Sequence, residues 1–449
     1  MTENFTNALY TNDNLFILTG LNSNLVDLIY LDPPFNSKRV YSAPIGSKAA
    51  GTSFKDMWVW EDVNEAYLET LVDKYPGLTR FIASTGNIHS KAMMSYLTYM
   101  AQRIIEMHRI LKDTGSLYLH CDPTASHYLK IVLDEIFGKN NFRNEIVWER
   151  TTDTGSSKAI SNRFPANTDV ILFYSKSDNY LYNKQYNDYS EEYISNKFTN
   201  DDNDGKGVYR WQVLRTYSQQ TFDKLSAENR LKKTNSSKYY YYKQYFSESK
   251  GVRISNLWNA DDIIPIGPSA KEATGYPTQK PLALLHRIIK TSSNEGDIIL
   301  DPFCGCATTC VAAQQLGRKW IGIDIEKQAV RILVERLSDD AGLFKSFINT
   351  EKIPQRTDIK IELPSVSIKE RLYKEQNGLC NGCRIQFNIQ NFEIDHIIPK
   401  AKGGGDYYEN YQLLCGSCNR IKGDRPMEYL RLKIKTREKE LEEKIIFGA

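Results

Sequence analysis

Two short apolar runs, far apart in the chain, each end in an aspartate that begins a turn. Residues 26–31 lead into Asp-Pro-Pro-Phe at 32–35, and residues 298–300 lead into Asp-Pro-Phe-Cys-Gly-Cys at 301–306. Short apolar runs bounded by turn residues are typical of buried parallel strands, and ligands bind at the carboxyl ends of such strands. The sequence therefore predicts one site built from two stretches more than 260 residues apart.

Strand and helix patterns alternate along much of the chain. Apolar residues recur with helical spacing over 89–112, and Pro123 and Gly138 bracket a second helix. This alternation predicts a Rossmann-like, doubly wound α/β fold around a mostly parallel sheet. The predicted strands of that sheet are residues 25–31, 116–120, 297–300 and 319–325.

The length and texture of the chain predict more than one domain. A chain of 449 residues exceeds one compact core. A stretch rich in Asn, Ser, Lys and Tyr interrupts the alternating pattern, and a polar stretch with Pro354 and Pro364 comes later. The predicted parts are a catalytic domain at 1–150 and 256–340, an insertion at 151–255, a linker at 341–366, and a C-terminal module at 367–449 that ends in a charged helix.

Composition limits the location of the protein more than its function. A formal charge of +3 and a pI of about 8.2 are too mild to identify a nucleic-acid-binding protein. Four of the eight cysteines form two CxxC pairs, which favours a reducing compartment and one metal site. The first residues lack a signal-peptide pattern, and no run approaches the roughly 20 apolar residues of a membrane span. We expect a cytoplasmic protein with no membrane partner.

The tetrapeptide at 32–35 has the groups that methyl transfer to an exocyclic amine requires. The Asp32 carboxylate can accept one amino hydrogen and the Pro33 carbonyl can accept the other, because proline itself cannot donate. Phe35 can then stack on a base that has been flipped out of the duplex. The alternative is a plain turn at the end of a strand, since short motifs recur by chance.

The second stretch has the features of a cofactor cradle. Gly305 permits close backbone approach to a ligand, and residues 308–309 begin a helix whose N-terminus faces that ligand. Asp324, at the end of the next predicted strand, suits ribose hydroxyls. The alternative is a fold that binds a nicotinamide dinucleotide, although the glycine pattern is not GxGxxG.

Three motifs together make residues 10–340, roughly, resemble the β-class DNA amino-methyltransferases. They are Asp-Pro-Pro-Phe, the run Thr-Gly-Tyr-Pro-Thr-Gln-Lys-Pro at 274–281, and Asp-Pro-Phe-Cys-Gly-Cys, in the order IV, X and I that defines the class. The resemblance implies that the target-base pocket is lined by Asp32, Pro33, Pro34 and Phe35. It also implies that S-adenosylmethionine is held by Thr278, Lys280, Asp301, Phe303, Gly305 and Asp324.

The resemblance carries further expectations. Ala307 stands where the family commonly has glycine, so we expect slight crowding of the cofactor without loss of activity. A leading Asp in the first motif is typical of enzymes that methylate the 6-amino group of adenine, whereas cytosine-4-amino enzymes often carry Ser. Double-stranded DNA is the implied partner, and a homodimer is common in the class. The insertion at 151–255 is expected to recognise the target, with a solvated Tyr-rich surface as the alternative.

Two CxxC pairs near the C-terminus, separated by 31 residues, predict a structural zinc site. Four thiolates complete a tetrahedral site and stabilise a module too small to fold alone. The predicted ligands are Cys380, Cys383, Cys415 and Cys418.

Residues 368–430, roughly, resemble the four-cysteine HNH, or ββα-metal, nucleases through Asp-His-Ile-Ile-Pro, Asn410 and the Asn that follows the last CxxC. The resemblance implies that His396 is the general base and that Asn410 orients the histidine loop. It implies that Asp395 and Asn419 bind Mg2+ or Mn2+. Phosphate contacts could come from Arg384, Lys400, Lys402, Arg420 and Lys422. The alternative is that these scattered cations only make the surface soluble.

The sequence as a whole predicts a bifunctional prokaryotic or phage enzyme of restriction-modification. It would be a site-specific DNA methyltransferase acting on the exocyclic amine of adenine, with an HNH endonuclease in the same chain. One alternative is an orphan methyltransferase, for adenine or cytosine, whose zinc module is a DNA clamp that does not cut. Another is a nuclease directed to other DNA and uncoupled from the methylation site.

Overall fold

The structure is a computed structural model that describes most of the chain. The described residues are 6–34, 39–42, 47, 53–56, 71–72, 74–151, 162, 164–235, 237–267, 270–339, 347–358, 368–402, 404–406 and 408–436. Phe35 lies outside these ranges, as do parts of three predicted segments, namely residues 152–161 of the insertion, 341–346 and 359–366 of the linker, and 437–449 of the C-terminal helix.

The chain forms two compact units. The larger one is Met1–Asn183 with Asn256–Ala449, and the smaller one is Lys184–Ser255. The strands, in chain order, are β1 (Ala8–Thr11), β2 (Val26–Leu31), β3 (Arg39–Ser42), β4 (Ser53–Asp56), β5 (Leu111–Cys121), β6 (Phe142–Glu149), β7 (Thr168–Ser175), β8 (Tyr186–Asn187), β9 (Tyr209–Leu214), β10 (Leu231–Lys232), β11 (Tyr240–Tyr245), β12 (Val252–Arg253), β13 (Leu257–Trp258), β14 (Ile298–Asp301), β15 (Lys319–Asp324), β16 (Ile348–Thr350), β17 (Phe392–His396) and β18 (Tyr411–Cys415).

Nine of the described strands form one mixed sheet in the larger unit, in the order β13-β6-β7-β5-β2-β14-β15-β1-β16. The strands from β5 to β16 in that order pair in parallel, whereas β7 is antiparallel to both β5 and β6. All four runs that the sequence analysis predicted as strands lie in this sheet. The predicted α/β fold class is therefore confirmed.

Helices of the larger unit bury apolar faces against the sheet. The helix Lys91–Ile110 begins at Ser90, whose Oγ accepts a hydrogen bond from Met93 N, and its buried residues include Leu97, Met100 and Ile104. The helices described in this unit are Asn14–Gly20, Pro76–Ile88, Lys91–Ile110, Ser126–Phe137, Leu282–Ser292, Thr308–Gln315, Gln328–Asp339, Ile368–Glu375, Gly416–Lys422 and residues 427–436. None of the helices in the described ranges combines the length and apolar character that crossing a bilayer requires.

The sheet order brings together the two motifs that are distant in the chain. β2 and β14 are neighbours, with Leu28 opposite Ile299 and Ile29 opposite Leu300. Because the pair is parallel, both carboxyl ends lie at the same edge of the sheet. Asp32 follows one end and Asp301 is the last residue of the other.

Two predicted boundaries differ from the structure. β7 belongs to the central sheet although its residues fall within the predicted insertion, and the separate unit begins only at Lys184. In the predicted linker, β16 pairs with β1, and Asn22 bonds to Thr357. Both segments were read from polar composition, which does not report pairing with strands far away in the sequence.

The smaller unit is built around the three-stranded antiparallel sheet β10-β11-β9. The helices Glu191–Lys197 and Gln219–Ala227 belong to the same unit, as does the pair β8 and β12. Arg230 is buried and binds both Glu228 and Glu248. Aromatic side chains account for much of the packing here, which compensates for the small number of aliphatic residues.

The C-terminal part of the chain, residues 368–436, is called the zinc module below. β17 and β18 form an antiparallel pair that is followed directly by the helix Gly416–Lys422. Its apolar core contains Leu372, Phe392, Leu413 and Leu430 together with cysteine side chains. So small a core stabilises little on its own, since a shorter chain buries a smaller fraction of its surface on folding.

Candidate active sites

A cavity of about 310 Å3 lies at the carboxyl ends of β2 and β14. It brings together every described residue that the sequence analysis assigned to base binding or cofactor binding. Those residues are Asp32, Pro33, Pro34, Thr278, Lys280, Asp301, Phe303, Gly305 and Asp324.

The two carboxylate oxygens of Asp32 have different surroundings. Oδ2 accepts a hydrogen bond from Lys280 Nζ at 2.5 Å, and Lys280 also donates to the Thr278 carbonyl at 3.2 Å. Oδ1 is buried and has no hydrogen-bond partner among the described residues. A buried acceptor without a partner is costly, so this oxygen is suited to accept a donor from a bound ligand. The sequence analysis assigned Lys280 to the cofactor, whereas its ammonium contacts the carboxylate of Asp32, which the same analysis assigned to the target base.

Asp301 ends β14 and is almost fully buried. Burial raises the pKa of this carboxyl to about 7, against the opposing effect of hydrogen bonds from Thr309 Oγ1 at 2.5 Å and Phe303 N at 3.0 Å. The negative charges of Asp32 and Asp324 raise the pKa further. A carboxyl that changes charge near neutral pH therefore lies in the wall of the cavity.

Asp324 fixes the loop that follows β14. Its Oδ2 accepts a hydrogen bond from Gly305 N, and its Oδ1 accepts one from Glu326 N, both at 2.8 Å. Burial raises the pKa of Asp324 above its ordinary value. Gly305 has φ of +50°, and a Cβ there would lie 3.0 Å from the Tyr276 ring. The predicted need for glycine at this position therefore has both a conformational and a steric cause.

The position of Ala307 differs from the one expected of a residue that crowds the cofactor. It is fully buried and is not one of the residues that line the cavity in the described ranges. Its φ of 58° and ψ of 32° are left-handed, a conformation that alanine adopts at a cost. Alanine thus replaces the family's glycine at a point of backbone strain. The methyl group of Ala307 does not line the cavity.

The sequence analysis missed the residues from the N-terminal stretch that close the cavity. Asn14 Nδ2 donates to the Pro302 carbonyl at 2.8 Å, and Asn14 Oδ1 accepts from Arg103 Nε at 2.5 Å. Arg103 is buried and lies 3.3 Å above the centre of the Tyr99 ring. The only local signal was Asp13 before an apolar run, the pattern of a helix N-cap, which predicts the helix but not the site.

A buried polar network joins the strands beside the cavity. Tyr30 Oη lies 2.9 Å from His120 Nδ1, and His120 Nε2 lies 3.2 Å from Asp169 Oδ2. Arg150 completes the chain with a contact of 3.0 Å to Asp169 Oδ1. Burial raises the pKa of Tyr30, so the phenol stays protonated and donates to the imidazole. The network fixes the ends of β2, β5 and β7 relative to one another.

The four cysteines of the zinc module converge as predicted. The sulfur atoms of Cys380, Cys383, Cys415 and Cys418 all lie within 4.8 Å of one another. Zinc–sulfur bonds of about 2.3 Å at tetrahedral angles place sulfur atoms about 3.8 Å apart. The Cys383 and Cys415 sulfurs are separated by 4.0 Å. The residues present therefore fit a structural zinc ion.

His396 ends β17 and its ring is held by a residue that the sequence analysis did not identify. Asp406 Oδ1 accepts a hydrogen bond from His396 Nε2 at 2.8 Å and another from Tyr411 Oη at 3.0 Å. Lys400 donates to the other Asp406 oxygen, and these contacts lower the pKa of Asp406 to about 2. An ionised acceptor at Nε2 leaves Nδ1 as the basic nitrogen of the ring.

Asn410 holds the loop between His396 and β18, as the resemblance implied. It is buried, its Oδ1 accepts from Ile398 N at 2.8 Å, and its Nδ2 donates to the carbonyls of Ile398 and Gly405. These bonds bridge the two ends of the histidine loop and so restrict its conformation.

The two predicted ligands of a catalytic cation are already engaged by neighbouring side chains. Asp395 contacts Lys422 Nζ at 3.0 Å and accepts from Gln412 at 2.8 Å. Asn419 Nδ2 donates to Glu393, which leaves its Oδ1 as a ligand atom. Lys422 is buried, so its predicted role as a phosphate contact is wrong. One carboxylate and one amide oxygen fit Mg2+ only where waters and a substrate phosphate complete the shell.

The two sites have the residues expected of a DNA methylase and an HNH endonuclease, and comparison with known families identifies the same two classes. The DNA methylase family matches residues 26–335, and the chain belongs to that family. The HNH endonuclease family matches residues 380–425. Both resemblances predicted from the motifs are confirmed.

Relatives of known name come from several bacteria. The type II methyltransferase M.EcaI of Enterobacter cloacae is 28% identical over 63% of this chain and 66% of its own length. The type III restriction-modification enzyme StyLTI Mod subunit of Salmonella typhimurium is 26% identical over 71% of this chain and 51% of its own length. The DNA adenine methyltransferase YhdJ of Escherichia coli is 24% identical over 72% and 80%. The chain thus spans about half to two thirds of the length of the first two relatives.

Proposed function

We propose that the chain is a site-specific DNA methyltransferase that uses S-adenosylmethionine, combined with an HNH endonuclease, in restriction-modification. The observation that carries the proposal is that Asp32 and Asp301 line the same cavity. Its volume is in the range of small-molecule sites, and its wall contains residues of all three motifs of the resemblance. We assign methyl transfer to residues 1–183 with 256–340, target recognition to 184–255, and cleavage to the zinc module.

The cofactor half of the site consists of Thr278, Phe303, Gly305 and the two carboxyls at 301 and 324. Bound S-adenosylmethionine supplies a methyl group on a positively charged sulfur. Asp324 accepts two backbone hydrogen bonds, but each carboxylate oxygen has a second lone pair for a ribose hydroxyl. Gly305 keeps the loop free of a side chain that would meet Tyr276.

The base half of the site consists of residues 32–35. The unpartnered Oδ1 of Asp32 accepts one hydrogen of the target amine, and the Pro33 carbonyl accepts the other. Lys280 holds Oδ2 and so fixes the direction of Oδ1. The Asp32 carboxylate is placed to receive the proton that the methylated nitrogen loses. Pro34 restricts the turn, and Phe35 stacks on the flipped base.

Adenine is the preferred target base. The leading Asp of the first motif supports it, and so does the similarity to YhdJ, which is a DNA adenine methyltransferase. Mass spectrometry of nucleosides from DNA methylated by the protein distinguishes N6-methyladenine from N4-methylcytosine. N4-methylcytosine alone would overturn the choice of adenine and leave amino-methyl transfer intact.

Double-stranded DNA is the proposed partner, and the smaller unit is proposed to read its sequence. Residues 184–255 contain 13 Lys and Arg against nine Asp and Glu, so the unit has a net charge of +4 while the whole chain has +3. Lys232 and Lys243 lie 5.4 and 6.0 Å from the centre of the Trp211 ring, and Gln212 and Arg215 are exposed. Cations, amides and aromatic rings are the groups that contact phosphates and bases. A cytoplasmic location and a homodimer complete the proposal.

Cleavage is assigned to the histidine loop of the zinc module. Nδ1 of His396 takes a proton from the attacking water, Asp406 keeps the ring oriented, and Asn410 holds the loop. A bound Mg2+ or Mn2+ supplies charge stabilisation at the scissile phosphate. Asp395 and Asn419 are the proposed protein ligands, while Cys380, Cys383, Cys415 and Cys418 hold structural zinc.

The methyltransferase assignment is tested with Asp32→Asn. We expect the transfer of labelled methyl groups to DNA to fall by about 10²- to 10⁴-fold, the range typical of a lost acid–base group. S-adenosylmethionine affinity, measured by calorimetry, should change little, since Asp32 contacts the base. Asp113→Asn, a substitution of an exposed carboxylate, is the matched control. Equal loss of binding and transfer in D32N would contradict the division of the site into two halves.

The nuclease and its link to methylation are tested with plasmid DNA. We expect the protein to cut unmethylated plasmid with Mg2+ or Mn2+, and to cut plasmid that it has premethylated far less. His396→Ala should abolish cutting and leave DNA affinity intact, with exposed His127→Ala as the control. Cutting that ignores premethylation favours a nuclease uncoupled from the methylation site. Methyl transfer without cutting under either metal favours the orphan methyltransferase with a zinc clamp.

A further inference from the structure

The turn between β14 and the helix Thr308–Gln315 contains a strained residue. Ala307 has a left-handed backbone and is fully buried. Its N–H donates to the Cys304 carbonyl at 2.6 Å, and its carbonyl accepts from Val311 N at 3.0 Å. Relaxing the backbone at Ala307 would break both bonds, so the strain must be balanced by contacts from elsewhere.

Arg336 provides such contacts from the helix Gln328–Asp339. Its side chain is buried, and its Nη1 donates to the Cys306 carbonyl and to Thr308 Oγ1, both at 2.8 Å. One guanidinium nitrogen therefore joins the residue before Ala307 to the residue after it. Hydrogen bonds from a charged donor are among the stronger ones in proteins, and a planar guanidinium holds its donors in fixed directions.

The turn held in this way is a wall of the cofactor half of the cavity. Gly305, Cys306 and Thr308 line the cavity, whereas Arg336 is not one of its lining residues. The position of Gly305 also depends on its bond to Asp324. Arg336 does not contact the cavity itself, so its hydrogen bonds act on a bound cofactor through the turn.

We propose that Arg336 is a positioning residue that holds the left-handed turn at Ala307 and thereby keeps the S-adenosylmethionine cradle in its binding shape. The inference rests on the proposed cofactor site. This role of Arg336 explains how the chain can have alanine at a position where only glycine would be unstrained. The hydrogen bonds of Arg336 to both sides of the turn offset the strain. The dependence on Arg336 should consequently disappear when residue 307 is glycine.

The test is a double-mutant cycle on cofactor affinity in the full-length chain. We expect Arg336→Met to weaken S-adenosylmethionine binding about tenfold or more, and Ala307→Gly alone to change it by less than about threefold. The double variant should recover most of the affinity that R336M loses. KM for the cofactor should rise in R336M while kcat changes little, because the base half of the site is untouched.

The same helix offers a matched control. Arg331 is exposed and pairs with Glu335, so Arg331→Met should leave cofactor affinity unchanged. Arg336→Lys keeps a charge but not the planar donor set, and its affinity should lie between those of the wild type and R336M. It also serves as the second probe if R336M is poorly folded.

Three outcomes would overturn the proposal. One is unchanged S-adenosylmethionine affinity in both R336M and R336K. Another is a double variant that binds the cofactor as weakly as R336M alone, because independent effects of the two substitutions indicate a general loss of packing. The third is unchanged hydrogen exchange of residues 304–308 in R336M, because a released turn must exchange faster. Failure of the wild type to bind S-adenosylmethionine would instead reject the proposed cofactor, and the exchange experiment would still report on the turn.

Discussion

The two candidate sites of this chain are assembled in opposite ways. The cavity is lined by residues that lie between positions 12 and 326 of the chain. The neighbouring parallel strands β2, β14 and β15 bring them together at one edge of a nine-stranded sheet. The candidate nuclease site lies within residues 393–422, beside a cluster of four cysteines. A large core therefore positions the first site, whereas the second depends on local bonds and a metal. Each site should fail under a different perturbation.

Removal of zinc should have the largest effect and should separate the two sites most clearly. We expect chelation, or Cys415→Ser, to unfold the zinc module and abolish cutting while methyl transfer continues. Structural zinc contributes about 10 kcal/mol or more to such modules, more than a core of this size provides. Hydrogen exchange read by mass spectrometry, with zinc content measured in parallel, checks this. A module that keeps its protection without zinc would refute the dependence on metal.

Asp406→Asn tests whether the nuclease residues act as a local unit. The asparagine side chain has no negative charge, so it holds the Nε2–H of His396 more weakly than the carboxylate does. The ring of His396 then loses its fixed orientation and tautomer. We expect the cleavage rate to fall about 10- to 100-fold, the range seen when a partner that orients a ligand or base is lost. Zinc content, DNA affinity and methyl transfer should remain at wild-type values. Asp424→Asn, at an exposed position in the same module, is the control.

The smallest predicted effect is a pH dependence of cofactor binding. Asp301, with a pKa near 7 caused first by burial, is neutral below that pH and ionised above it. A cationic sulfonium favours the ionised form, so affinity should rise with pH up to about 7, by at most about tenfold per unit, and then level off. Calorimetry between pH 5.5 and 7.5 measures this.

The control for that measurement is Asp301→Asn, which should flatten the profile. A slope that persists in D301N would show that Asp301 is not its cause. The cofactor-free protein provides a second readout. Between about pH 4 and 7 the folded state binds the Asp301 proton more tightly than the unfolded state, so this group's contribution to the free energy of unfolding falls as pH rises.

The sequence predicted best what depends on local pattern. The strand runs, the helix at 91–110, the convergence of Asp32 with Asp301, and the cysteine cluster all follow from short motifs and periodicity. The missed features depend on contacts between distant residues. Asn14 reaches Pro302 across 288 positions, and nothing in either local sequence records that bond.

Other features were missed because polar residues were taken to indicate irregular or solvent-exposed segments. Polar flanks hid the membership of β7 in the central sheet, although residues 170–174 are an apolar run. Asp406 was overlooked because a charged residue in a glycine-rich loop is usually solvated, and only the fold places it on His396. Lys422 was read as a surface cation for the same reason, yet it is buried against Asp395.

The pairing of β16 with β1 determines where the chain can be divided. Pro354 is buried, and a side chain at Gly20 would collide with its carbonyl, so the chain at Pro354 packs closely on the end of the first helix. A fragment that stops at residue 340 would lose this cover and expose the backbone edge of β1, the kind of surface on which chains aggregate. Expression of the methyltransferase half alone should therefore give soluble protein when the stop codon follows Asp358, and inclusion bodies when it follows residue 340.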